Sequence, residues 1–252
     1  MRLGQRFVAD GKVLFRLRSI APLILAPLMF LALIHLARFE RRWGEAVEDQ
    51  WLVFCLIVSG LGLALRCFTV GYAPRGTSGR GTKRPTAAML NRVGMYSIVR
   101  NPLYVANGIM LFGVTLATAT FWFVAVTMLA YWLYIERIIS AEEAYLAEEF
   151  GEAYDDWAAE TPCFLPRVSR WKAPDLSFSL RLMLRREYPG FIALATAFTL
   201  VELISDVFLE GEPFRRWLVT DRDWVIFFVT AMAIGLTIRS LKKLHYLDAA
   251  GR

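Results

Sequence analysis

The chain has 252 residues, is 56% hydrophobic and 14% aromatic, and carries a formal net charge of +6. Soluble domains are typically about 45–50% apolar, so this composition argues against an ordinary soluble globule and for the bilayer. The bases fall between apolar runs rather than in one patch, which favours anionic lipid over nucleic acid as their partner.

Residues 1–18 form a basic tail with Arg2, Arg6, Lys12, Arg16 and Arg18. The apolar run after it is nearly bilayer-long and lacks a small-residue cleavage site, so it reads as an anchor rather than a removable signal. The expected fold is all-α and membrane-integral, with six transmembrane helices. Their expected bounds are residues 19–37, 50–70, 102–117, 121–139, 189–208 and 224–241. Pro27 should kink the first. The second carries Arg66 near its end.

Residues 71–100 are a polar loop rich in Gly, Arg and Thr, whose bases and hydroxyls could grip phosphate. Asn101-Pro102 then reads as a helix N-cap and first helical position. The short uncharged stretch Thr118-Ala119-Thr120 makes the third and fourth spans a tight antiparallel hairpin. Beyond the fourth span, residues 140–157 predict a cytosolic amphipathic helix. Leu146, Phe150, Ala153, Tyr154 and Trp157 recur at helical spacing, opposite a solvated acidic face. A basic-aromatic connector follows over 168–188, and Pro189-Gly190 is expected to start the fifth span. The units are therefore residues 1–90 (anchor spans and basic loop), 91–167 (core hairpin and cytosolic helix) and 168–252 (connector and two final spans).

In this six-span arrangement 22 Lys and Arg residues fall on one side and six on the other. The positive-inside rule then puts both termini, the Arg100 loop and the Glu142-Glu143 end in the cytoplasm.

Three cysteines without ligand spacing and two histidines leave no expectation of a metal site or a Ser-His-Asp triad. Arg100, just before a helix start, could grip a carboxylate or phosphate by two points, or simply snorkel. Glu136, Ser140 and Glu143 share one helix face, with Glu142 beside them. Arg66 could pair with an anionic headgroup or snorkel. Glu202 and Asp206 share a face of the fifth span, where structural pairing is expected.

The ordered set Gly94-x-Tyr96, Arg100-x-Pro102-x-Tyr104, Gly113, Glu142-Glu143-x-x-Leu146, Phe150-Gly151-x-x-Tyr154 and Pro162-x-x-x-Pro166 resembles the integral-membrane isoprenylcysteine carboxyl methyltransferase and phospholipid methyltransferase family. The resemblance covers about residues 91–167. It implies S-adenosylmethionine at the cytosolic mouth of the hairpin. Tyr96, Arg100, Pro102 and Tyr104 would line one wall, and Glu142, Glu143 and Leu146 the other, with Arg100 and Glu142 nearest the chemistry. Many members have His where this chain has Asn101, and the small glycine after the tyrosine is replaced by Ala106.

Thr69-Val70-Gly71-Tyr72, Thr77-Ser78-Gly79-Arg80 and Leu184-Arg185-Arg186-Glu187-Tyr188 resemble the bacterial lipid A 1-phosphate methyltransferases. That branch implies an inner-membrane enzyme with a lipid phosphate acceptor, for which Arg66, Arg75, Arg80, Lys83 and Arg84 are the candidate ligands. The other acceptors are a prenylcysteine carboxylate, phosphatidylethanolamine or a small thiol. The non-enzymatic alternative is a transporter or adaptor. Oligomeric state is not legible.

Overall fold

The computed structural model describes residues 2–17, 24–74, 77 and 87–248. Among them there is helix and loop but no strand. The helices are α1 (Leu3–Leu17), α2 (Ala26–Trp43), α3 (Glu45–Gly71), α4 (Pro102–Leu116), α5 (Phe121–Phe150), α6 (Glu152–Glu160), α7 (Leu180–Leu203), α8 (Phe214–Thr220) and α9 (Arg222–Lys243). A 3₁₀ turn, Gly94–Ser97, precedes α4, and α7 widens at its end into π turns over Ile204–Glu210.

Among the described residues four helices are long and apolar enough to cross a membrane: α3, α5, α9, and α7 with its π extension. Of the other two expected spans, α4 is a shorter apolar helix of 15 residues. The first coincides in part with α2, although residues 18–23 lie outside the described segments. Pro27 sits in the first turn of α2 rather than mid-helix. There its missing N–H has no intrahelical partner to lose, so the proline opens α2 rather than interrupting it.

Helices α3 and α4 run antiparallel in close contact. A Cβ at Gly113 would collide with Ser59 Oγ and lie 2.6 Å from the Cys55 carbonyl oxygen. The Ser59 hydroxyl donates to the Met110 carbonyl at 2.9 Å. Lipid-facing helices gain little from burying apolar surface, so such small-residue approaches carry much of the association. The Trp51 indole N–H donates to the Leu116 carbonyl at 3.2 Å, which fixes the register. The start of α4 thus lies beside the end of α3, and the end of α4 beside the start of α3. One apolar cluster, built on Leu33, Leu36, Leu52, Phe198, Val201 and Trp224, joins α2, α3, α7 and α9.

The basic tail forms a helix of its own. Helix α1 packs on α5, with Phe15 buried against Ile135, Ile138 and Ile139 and the Arg137 guanidinium 4.8 Å from the Phe7 ring centroid. Two further boundaries differ from expectation. The helix expected over 140–157 is instead the tail of α5 and a separate α6, split at Gly151 with φ +54°. That left-handed φ is open to glycine at little cost, so the chain turns there. Pro189 lies inside α7, which starts nine residues earlier at Leu180 under a Ser179 cap accepting from the Leu182 N–H at 3.3 Å.

Candidate functional site

The motif segments converge where α4 begins and α5 leaves the apolar region. Three backbone bonds pin the 3₁₀ turn and its exit to the segment after α6: Arg100 N–H to Pro162 O (2.9 Å), Arg167 N–H to Ile98 O (2.8 Å) and Gly94 N–H to Lys172 O (2.9 Å). The Trp157 indole N–H adds a bond to the Tyr96 carbonyl at 3.1 Å. These bonds bring pieces about 60 residues apart in sequence into one mouth.

Arg100 is the hub. Its Nε and Nη2 both lie 2.9 Å from Glu143 Oε1, and its Nη1 donates to the carbonyls of Ala158 (2.6 Å) and Thr161 (2.9 Å). A planar fork suits this many-point contact, which a lysine could not reproduce. One turn into α4 the Tyr104 hydroxyl donates to Glu142 Oε1 at 2.9 Å. Tyr104 is held in turn by Tyr131, whose hydroxyl donates to its carbonyl at 2.6 Å. Glu142 and Glu143 sit on the part of α5 facing α4, Leu146 follows one turn later, and Pro102 is buried at the first position of α4. The expected residues Tyr96, Arg100, Pro102, Tyr104, Glu142, Glu143 and Leu146 therefore occupy one region.

The electrostatics of this region are compensated. Burial, and then the Glu142 charge, push the Tyr96 phenol up to about 12, so it stays neutral. Burial and the adjacent Glu143 also raise Tyr154 and Cys163, with Arg100 opposing. Asn101 is the residue before α4, but its side chain does not cap the helix. It donates instead toward Cys163, 3.4 Å from both carbonyl oxygen and sulfur. Ser140 bonds back to the Glu136 carbonyl at 2.8 Å, an ordinary intrahelical contact.

Arg66 is fully engaged within the protein. Its Nε and Nη2 bind the two carboxylate oxygens of Glu187 at 2.7 and 3.1 Å, and its Nη1 donates to Asn107 Oδ1 at 2.6 Å. Glu187 is 3% exposed. This two-point pair ties α3, α4 and α7 together. Of the other expected phosphate ligands, Arg75, Arg80, Lys83 and Arg84 lie outside the described residues.

Sequence reasoning missed two groups here. Glu187 gave no signal except its place in a basic run. The second group, at the far end of the bundle, is carboxylic. Glu202 and Asp206, expected to find structural partners, sit instead among other acids lining a cavity.

The fold and site thus define a helical membrane protein with an ionic mouth between two antiparallel helices. Residues 75–153 match the phospholipid methyltransferase family. The chain is 32% identical over 143 residues to the nickel-cobalt-cadmium resistance protein NccN of Alcaligenes xylosoxydans xylosoxydans, covering 56% of this chain and 62% of that protein. It is 30% identical over 155 residues to the cobalt-zinc-cadmium resistance protein CzcN of Cupriavidus metallidurans, covering 62% and 64%. A shorter similarity, 30% over 87 residues, covers 34% of this chain and 37% of the protein-S-isoprenylcysteine O-methyltransferase of Schizosaccharomyces pombe. The chain thus spans less than two thirds of the length of these relatives. No solved structure gives a significant match.

Proposed function

We propose that the chain is an S-adenosylmethionine-dependent membrane O-methyltransferase acting on a lipid phosphate, with the 1-phosphate of lipid A as the expected acceptor. The observation that carries this reading is the meeting of Arg100, Tyr104, Glu142 and Glu143 at one mouth, inside or beside the stretch that matches phospholipid methyltransferases. The donor set fits the cofactor. Carboxylates suit ribose hydroxyls and an ammonium, a guanidinium suits a carboxylate, and Tyr96 and Tyr104 supply apolar faces. When bound, the cofactor supplies a methyl group already activated on a sulfonium.

The protein's task is then positioning and exclusion of water. Arg100 orients Glu143 and braces the 158–161 backbone. Tyr104 orients Glu142. An anionic phosphate oxygen needs no proton removed before it attacks, so the scarcity of histidine is no obstacle. An amine acceptor would need a base. Arg75, Arg80, Lys83 and Arg84 are the proposed phosphate ligands. Arg66 joins them where the phosphate competes with Glu187 for its fork.

Positive-inside counting supports both termini and the mouth on the cytoplasmic side of six crossings, in which α2 and α4 complete the set, and the likeness to bacterial lipid A methyltransferases favours the inner membrane. The names of the first two relatives suggest metal tolerance as a setting. Esterifying a lipid phosphate removes negative charge and so weakens the hold of the envelope on divalent cations.

The test is isothermal titration of S-adenosylmethionine into the purified chain in nanodiscs, followed by lipid mass spectrometry with the cofactor present. A single added methyl on a phosphorylated lipid is expected. Repeated methylation would indicate an amine acceptor such as phosphatidylethanolamine, and methylation of a prenylcysteine peptide a carboxylate acceptor. No binding at millimolar cofactor would sink the enzymatic reading and leave a transporter or adaptor.

A further inference from the structure

At the end of the bundle opposite Arg100, the last turn of α2, the first turn of α3, the π turns after α7 and the junction of α8 with α9 enclose a cavity of about 380 Å³. Eight carboxylates and one arginine, Arg216, line it among the described residues. Two carboxylate triads form here, each with one oxygen per residue within 4.8 Å of the others: Glu48, Asp49 and Glu202, and Asp206, Glu212 and Asp221. Among the described residues charge pairing reaches only the rim, where Arg41 meets Glu210 at 3.0 Å and Arg216 meets Glu212 at 3.1 Å.

The inner triad differs from an exposed acidic patch. Glu48 is 3% exposed and Glu202 1%. Oε1 of each is buried with no hydrogen-bond partner. Asp49, the third member, accepts from the Trp224 indole N–H at 3.4 Å. Buried polar atoms are almost always satisfied, and two carboxylates sealed together repel unless something positive joins them.

We propose that Glu48, Asp49 and Glu202 form a divalent-cation site, with Asp206, Glu212 and Asp221 as its anionic entrance. The spacing suits such an ion. Oxygen ligands at about 2.3–2.6 Å on opposite sides of Ca²⁺ stand about 4.6–5.2 Å apart. The donor set is all oxygen, with no imidazole or thiolate lining the cavity among the described residues. It therefore favours Ca²⁺ or Mn²⁺ over a thiophilic ion. The proposal does not depend on methyl transfer, which would occur at the other end of α3.

The experiment titrates Mn²⁺ into the full chain in zwitterionic nanodiscs and follows the free-ion electron paramagnetic resonance signal. One saturable site is expected at micromolar Mn²⁺, competed by Ca²⁺. It should weaken at least tenfold in Glu48→Gln and in Glu202→Gln. Wild-type thermal unfolding gives a second readout that needs no variant: saturating Mn²⁺ must raise the midpoint. Absence of a saturable site, wild-type affinity in either variant, or no change in the midpoint overturns the proposal. So does a protonated-carboxyl infrared band surviving saturating Mn²⁺, which would mean that Glu48 and Glu202 share a proton instead.

Discussion

The two ends of α3 solve the same electrostatic problem in opposite ways. At one end Arg66 is clasped by Glu187 and Asn107, and Arg100 by Glu143 and two carbonyls. Each of these charges has a protein partner made for it. At the other end Glu48 and Glu202 are buried at least as deeply, yet sit in a group of carboxylates, each with an unpartnered Oε1. Glu48 and Arg66 are separated by about 27 Å of continuous helix at 1.5 Å per residue. A rigid rod therefore holds a self-neutralised region apart from one that needs an external positive charge.

The contrast is most directly broken at Arg66. Arg66→Met strands Glu187 and should cost about 3–5 kcal/mol of stability in detergent, read by thermal unfolding. Arg66→Met combined with Glu187→Leu should recover most of it. If the single variant is as stable as wild type, the clasp contributes nothing. Arg100→Lys should come next, because a point charge cannot serve Glu143 and two carbonyls together. On the proposed reading, S-adenosylmethionine affinity falls about tenfold or more, equivalent to about 1.4 kcal/mol; an unchanged dissociation constant would remove Arg100 from the cofactor cradle.

The far end should respond with the opposite sign. Without divalent cation, Glu202→Gln should raise the unfolding midpoint, by about 1 kcal/mol in stability, since it relieves repulsion. Loss of stability there would mean that the carboxylate is already satisfied. Tyr104→Phe removes one hydroxyl contact with Glu142 and should cost about 0.5–1.5 kcal/mol in cofactor binding, measured by calorimetry.

The smallest effect is a pH dependence. Burial, and then the neighbouring Glu210, raise Glu40 from 4.5 to about 7. A carboxyl raised in the folded state adds stability below its unfolded value and loses it as pH rises. The unfolding midpoint should therefore fall between pH 4.5 and about 7. Mn²⁺ should offset that fall most at the upper end, where protons no longer compete for carboxylates. A midpoint that rises over this window would contradict the sign.

Hydropathy made the helices legible wherever one continuous run decided them. Residues 50–70, 121–139 and 224–241 each fall inside a helix long and apolar enough to cross a membrane. Asn101-Pro102 marked the start of α4 to the residue. Helix α1 was hidden by its charge: Phe7, Gly11 and Phe15 recur at helical spacing, but five bases made the segment read as a tail. The start of α7 was misplaced because Pro189 looked like a beginning, whereas a lipid-embedded helix tolerates an interior proline where neighbours satisfy the freed backbone. The residues of the mouth were readable because ordered motifs on two adjacent helices carry them. The acidic cavity was not, since its members come from two stretches far apart in the chain, residues 40–48 and 202–221, and only tertiary folding gathers them.

The backbone bonds that strap residues 162–172 across the mouth have a practical consequence. The stretch of family similarity ends at residue 153, yet Arg100 takes acceptors from Ala158 and Thr161 and its own N–H reaches Pro162. The homologous segment and the smallest self-sufficient piece of this chain are therefore different things. A fragment cut where the similarity stops would keep the signature motifs while losing the clamp that gives them their shape.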